Sequence, residues 1–204
     1  RTTMLAGVSH DLRTPLTRLQ LELALAEPSK RMEAMKADLA EMEHMIDEYL
    51  AFARGESGEA VETISLWRML HGVGEDAARA GARVEINVDA GLEISARPNA
   101  LRRALSNLVM NAAVHAGRIA VSVVETPAGG IEILIDDDGR GIAPDQYEEA
   151  FKPFSRLDES RNQNEKGVGL GLAIARDVAR GHGGDLTLDR SPLGGLRAVM
   201  RLPV

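Results

Sequence analysis

The chain has 204 residues, 44% of them apolar, enough for one large or two modest folded domains and too many for an intrinsically disordered protein. A net charge of −7 removes nucleic acid as a default partner, because a binder of the phosphate backbone carries a basic face. The absence of cysteine excludes disulfides and thiolate metal sites, and no apolar run approaches the roughly 18 residues that span a bilayer. The chain opens at Arg1 already in helical pattern, so it is expected to be a soluble piece of a longer protein, without membrane contact of its own.

Leu5, Val8, Leu12, Leu16, Leu19 and Leu23 recur at steps of three and four, which predicts an amphipathic helix. Pro15 interrupts it and is expected to kink it. Ala26-Glu27-Pro28-Ser29 reads as a turn. A second stripe follows in Met32, Met35, Leu39, Met42, Ile46, Tyr49 and Ala53, ended by the run from Gly55 to Gly58. Two such helices bury little by themselves. Dimerisation into a four-helix bundle is the expected solution, and packing of the hairpin on the rest of the chain is the alternative. His10 stands two residues from both Val8 and Leu12, about 200° round the helix, so it is expected to face solvent. Spacing alone gives a surface histidine no role.

Residues 56–62 form a short polar linker. Beyond it, residues 64–80 predict a short strand and then a helix capped by Ser65. Alternation predicts strands over 83–89 and 93–96, and Pro98 starts a helix bearing Leu101, Leu105, Leu108 and Val109 that ends near Gly117. Residues 119–124 and 131–135 read as strands. About seven helical residues are expected after Pro144, a mobile loop over 152–166 and a helix over 170–180. Strands over 186–188 and 196–202 close the chain around Ser191-Pro192-Leu193-Gly194-Gly195. This mixture predicts an α/β sandwich with helices on one sheet face.

Three stretches carry chemistry. Asn107 and Asn111 share one helix face, and carboxamide oxygens suit Mg²⁺, which takes few protein ligands beside nucleotide phosphates. Asp136-Asp137-Asp138-Gly139-Arg140-Gly141 ends an apolar strand, where a carboxylate can hold a ligand amino group while glycines let the backbone approach. A calcium loop does not fit, because its first position would be Leu134. Gly167-Val168-Gly169-Leu170-Gly171-Leu172 enters a helix, where exposed amides attract phosphate. It is neither a P-loop nor a dinucleotide fingerprint, since no Gly-Lys-Ser/Thr follows and no strand leads into it.

In this order and spacing the stretches resemble the catalytic core of a sensor histidine kinase of two-component systems, over nearly the whole chain. Ser9-His10-Asp11-Leu12-Arg13-Thr14-Pro15-Leu16 matches the H box, residues 107–111 the N box, and Asp137-x-Gly139-x-Gly141 the G1 box. Phe151-Lys152-Pro153-Phe154 matches the F box and Gly167-x-Gly169-Leu170-Gly171-Leu172 the G2 box. The run from Leu5 to Arg18 is similar to osmosensor kinases of the EnvZ type.

The resemblance implies a helical-hairpin dimerisation and phosphotransfer domain over 1–55, a linker over 56–62, and an ATP-binding domain of the Bergerat (GHKL) fold over 63–204. It implies His10 as phosphoacceptor, with Asp11 and Thr14 as the other catalytic residues. Asn111, assisted by Asn107, would hold Mg²⁺, and Asp137 would read the adenine amino group of ATP. Gly139, Gly141, Ile142 and His115 would shape the pocket, with Gly167, Gly169, Leu170, Gly171 and Leu172 under the phosphates. Phe154, Arg156, Arg161 and Lys166 fall in or beside the implied ATP lid, 152–166. The family commonly has Lys or Arg three residues after the second Asn, where this chain has Val114, so affinity for ATP is expected to be modest. The implied partners are a second copy of the chain and a response regulator, and the implied setting is the cytoplasmic portion of an inner-membrane-anchored bacterial sensor. An ATPase of the same fold that drives conformational change, and a dimeric scaffold without catalysis, stand as alternatives.

Overall fold

The computed structural model describes residues 16–19, 21–25, 29, 31–33, 35–36, 39, 42, 59–127, 129–155 and 169–203. The chain divides into two units, Arg1–Ser57 and Gly58–Val204. In the first, all the described residues except Ser29 are helical. The Ser29 hydroxyl accepts the Met32 backbone N–H at 3.2 Å, the cap geometry that starts a helix. Leu16, Leu23 and Leu39 are buried together, with Met32 against them, so both expected stripes feed one seam. Leu19, Met35 and Met42 lie in the same stripes, yet remain 46%, 45% and 47% exposed. A single hairpin therefore covers only part of its own apolar surface. The kink expected at Pro15 and the helix end expected near Gly55 lie outside the described residues.

The second unit runs β1 (Glu62–Ser65), α1 (Leu66–Arg79), β2 (Arg83–Asn87), β3 (Glu93–Ala96), α2 (Pro98–His115), β4 (Arg118–Glu125), β5 (Gly130–Asp137), α3 (Tyr147–Ala150), α4 (Gly171–Gly181), β6 (Asp185–Arg190) and β7 (Leu196–Pro203). Glu62, placed in the linker by composition, is thus the first residue of β1. The helix expected after Pro144 resolves into a 3-10 turn over Pro144–Gln146 followed by α3.

β1 and β3 form a small antiparallel pair, and the other strands form one sheet in the order β2-β4-β5-β7-β6. Only β2–β4 is parallel, with Arg83 opposite Arg118 and Asn87 opposite Ser122. The alternation of β4 and β5 buries Ile119, Val121, Ile131, Ile133 and Ile135 on one face. Helix α1 packs on β2, α2 on β4 and β5, and α4 on β6 and β7. They bring Leu66, Leu70, Leu101, Leu105 and Ile174 into the same core, each almost fully buried. Every such side chain contributes on the order of 2 kcal/mol. The fold is the expected sandwich with its helices on one face, and α2 lies over the middle of the sheet, flanked by α4.

Candidate functional site

Three successive aspartates leave β5, and each has a different task. Asp136 is buried and receives a two-point bond from Arg197 on β7, Nε and one terminal nitrogen each at 2.8 Å. Its bond, followed by the pair's attraction, holds the Arg197 guanidinium above its ordinary pKa. Asp138 turns outward, and its Oδ1 accepts the backbone N–H groups of Gly117 and Arg118, both at 3.0 Å. Asp137 is 5% exposed. Its Oδ1 accepts the N–H of Gly139 at 2.8 Å and of Leu196 at 3.1 Å, while Oδ2 makes no hydrogen bond among the described residues. The carboxylate is therefore oriented by the backbone through one oxygen, and the other could accept a hydrogen bond from a ligand.

Glycines permit that arrangement. Gly195 donates its N–H to the Asp137 carbonyl at 3.1 Å. A side chain there would run into Asp137 Oδ1, so the Ser191–Gly195 turn is the backstop of the carboxylate. A Cβ on Gly139 would stand 2.7 Å from the His115 carbonyl, so this turn abuts the C-terminal end of α2. Gly141, at φ 68°, lies against Gly195 in the left-handed region that disfavours other residues. Ile142 follows it half-buried.

Helix α2 carries Asn107 and Asn111, both half-buried, one turn apart. The Asn107 Nδ2 is buried without a hydrogen-bond partner among the described residues. An orphaned amide of that kind fits a site completed by a ligand. At the other end of the same face Val114 is 48% exposed and His115 is exposed. No group of three or more His, Cys, Asp or Glu that could hold a metal occurs among the described residues. The Asn107 and Asn111 carboxamides fit Mg²⁺ only in the manner of an ion that shares its shell with phosphate and water.

Helix α4 meets α2 at Asn107, where a Cβ on Gly171 would lie 3.6 Å from the Asn107 Cβ. Its N-cap, Leu170, is fully buried and supplies no capping side chain. Among the described residues no side chain takes the amides of its first turn. The two ends of the site, the start of α4 at Asn107 and the Asp137–Gly141 turn at His115, are thus about 12 Å apart along α2.

The two chain ends that flank residues 156–168 are tied together. Phe154, at φ 64° and 58% exposed, donates its N–H to the Gly169 carbonyl at 2.9 Å. Gly169, at φ 70°, leaves no room for a Cβ, which would stand 2.6 Å from the Ser155 carbonyl. Behind this junction Phe151 is buried under the Arg176 guanidinium, 4.2 Å from the ring centroid. Arg176 also forks onto Glu148 at 2.8 and 3.2 Å and reaches Asp185 at 3.2 Å. The Glu148 bond, ahead of the opposing burial, raises the Arg176 pKa, and the reciprocal bond lowers that of Glu148.

Of the residues singled out by sequence, Asn107, Asn111, His115, Asp137, Gly139, Gly141, Ile142, Phe154, Gly169, Leu170, Gly171 and Leu172 are described and lie along or around α2 and the start of α4. His10, Asp11, Thr14, Arg156, Arg161, Lys166 and Gly167 lie outside the described residues. Four residues that hold these elements in place have no local signal: Gly195, Arg197, Arg176 and Glu59. Glu59 sits in the polar run before β1, and its two carboxylate oxygens accept the N–H groups of Asn99 at 2.7 Å and Ala100 at 3.0 Å. It caps α2 from 40 residues away, which only the folded arrangement reveals.

Residues 96–204 match the family of histidine kinase-, DNA gyrase B- and HSP90-like ATPases, and residues 1–58 match the His Kinase A (phospho-acceptor) domain. The sensor histidine kinase CpxA of Escherichia coli K12 is 37% identical over 98% of this chain and 46% of its own length. The chain spans about half the length of the curated relatives it matches. Full-length ShkA, solved in complex with AMPPNP, shares the fold across the whole chain and 46% of its own, with a TM-score of 0.80 at 24% identity. The ATP binding domain of PrrB from Mycobacterium tuberculosis is 31% identical over 70% of this chain and 96% of its own, with a TM-score of 0.56.

Proposed function

The chain belongs to the sensor histidine kinases, and we propose that its second unit binds ATP along α2 and delivers the γ-phosphoryl group to His10. The observation that carries this reading is the Asp137 carboxylate, fixed through Oδ1 and with no partner for Oδ2 among the described residues, at the C-terminal end of a helix whose middle, at Asn107, meets the start of α4, where no side chain caps the amides among the described residues. Asp137 Oδ2 would accept the exocyclic amino group of adenine, and the first turn of α4 would donate to phosphate oxygens. Asn111 and Asn107 would hold Mg²⁺, which when bound offsets phosphate charge. Val114, exposed where the family commonly carries Lys or Arg, offers no cation to the nucleotide, in keeping with a modest affinity.

The chemistry then rests on the H box. A neutral His10 attacks with one ring nitrogen, a nitrogen–phosphorus bond forms, the bond from phosphorus to the β–γ bridging oxygen breaks, and ADP leaves. Asp11 accepts the N–H of the other ring nitrogen, which fixes the tautomer and stabilises the developing imidazolium. The phosphoryl group passes on to an aspartate of a response regulator, and Thr14 orients water for dephosphorylation of that regulator. The half-exposed Leu19, Met35 and Met42 favour a homodimer through the hairpin. The domains are read as 1–55, 56–62 and 63–204, in the cytoplasmic portion of a membrane-anchored sensor.

Incubation with γ-labelled ATP and Mg²⁺ tests the reading. Label on the chain that is acid-labile and absent from His10→Ala, while His10→Ala still binds ATP, is the expected result. Acid-stable label, or label surviving His10→Ala, would overturn the assignment. Release of free phosphate without any labelled protein would favour the ATPase alternative.

A further inference from the structure

Helix α4 does two things at once. Its first turn meets Asn107 of α2, and one turn and a half further on Arg176 gathers Glu148, Asp185 and Phe151. The Arg176 side chain is 14% exposed and carries its full charge among Glu148 of α3, Asp185 of β6 and the face of Phe151. Arg180 adds a second bond to Asp185 at 3.0 Å. α3 leads directly into Phe151, and three residues later the Phe154 N–H bonds the Gly169 carbonyl, two residues before α4 begins. The path from Arg176 through Glu148 and Phe151 to Phe154 and Gly169 therefore closes on the helix that holds Arg176. Phe154 carries a positive φ, so this closure holds its backbone where few residues other than glycine settle unaided.

We propose that Arg176 is a positioning residue for nucleotide binding: by clamping α3 and Phe151 to α4 it fixes the Phe151–Ser155 turn against Gly169 and so sets the amides at the start of α4. The inference rests on the ATP reading above and deepens it. Arg176 itself touches no nucleotide in this account. A planar guanidinium is required, because it forks onto a carboxylate and lies over a ring at the same time, and an ammonium group does one or the other.

The 204-residue chain, as wild type, Arg176→Met, Arg176→Lys and Glu148→Gln, is titrated with ATP and Mg²⁺ well below each variant's melting temperature, and autophosphorylation is followed against ATP concentration. The expected result is a graded loss of ATP affinity: on the order of tenfold for Arg176→Met, with partial recovery in Arg176→Lys, and about threefold for Glu148→Gln. The loss falls on Kd and KM rather than on the rate at saturating ATP. A lowered melting temperature with unchanged Kd would make Arg176 a stabilising residue only and overturn the proposal, as would a fall in rate at saturating ATP with Kd unchanged. Wild-type protein that bound no ATP would overturn the proposed function and this inference with it. Wild-type binding with an unaltered Arg176→Met would overturn this inference alone.

Discussion

Helices α2 and α4 begin alike and end up differently. Neither has a capping side chain at its own N-cap, Arg97 in one and Leu170 in the other. At α2 the carboxylate of Glu59 takes the free amides of Asn99 and Ala100. At α4 no side chain takes that place among the described residues. Both starts attract anions through the helix dipole and unpaired N–H groups. One is closed by the chain's own carboxylate, and the other is, in the proposed function, the end that takes a ligand's phosphate.

The comparison breaks most sharply if the open end is sealed. Gly171→Asp places a carboxylate at the first turn of α4, where a Cβ meets only ordinary contacts. ATP affinity should fall by thirtyfold or more, about 2 kcal/mol, while the melting temperature holds or rises slightly. Nucleotide titration beside thermal melting checks both signs, and unchanged affinity would sink the idea that phosphate binds there.

Opening the closed end should do the reverse. Glu59→Ala should cost about 1 kcal/mol of stability in urea denaturation, with ATP affinity within about twofold of wild type. A large loss of affinity would mean that Glu59 is part of the site rather than a seal.

Acid should erode the same seal. Burial works against the charge of Glu59, but the Asn99 and Ala100 amides, the Asn99 side chain and Arg103 outweigh it and hold the carboxyl below its ordinary value of 4.5. A carboxyl with a depressed folded pKa contributes stability that is present above its unfolded value and is lost as pH falls through the folded one. The stability gap between wild type and Glu59→Gln should therefore be full near neutral pH and shrink below about pH 4.5. A gap that stays constant down to about pH 3 would contradict the ionised cap.

The smallest effect belongs to α1, whose cap is local. Ser65 Oγ accepts the Arg68 N–H at 3.4 Å, a long bond, so Ser65→Ala should cost only about 0.5 kcal/mol by the same denaturation assay.

These caps also mark what sequence could and could not reveal. Ser65 was legible, because cap and helix are adjacent and the signal is local. Asp137 and its glycines were legible for the same reason, as were the strands with alternating Ile and Val. The division of labour among Asp136, Asp137 and Asp138 was not, because Arg197, Leu196 and Gly117 select between them and lie 61, 59 and 21 residues away. By composition Glu59 belongs to a polar linker, since nothing near it in sequence shows the amides it meets. In sequence Arg176 is only one residue of a helical stretch. Its partners come from α3, β6 and Phe151, and a carboxylate, an ion pair and a ring converge only once the sheet has formed.

The parallel pairing of β2 with β4 has a consequence for synthesis. β2 lies at the sheet's edge and bonds only to β4, whose first paired residue, Arg118, follows Arg83 by 35 positions. As the chain leaves the ribosome, β2 must wait for β3, α2 and β4 to be made before any strand exists for it to join. Closing that separation comes before the reward of pairing, so β2 is a late arrival to the sheet. The antiparallel β4–β5 hairpin needs only a short turn, so its pairing closes a much shorter loop than the joining of β2 on one side or of β7 on the other.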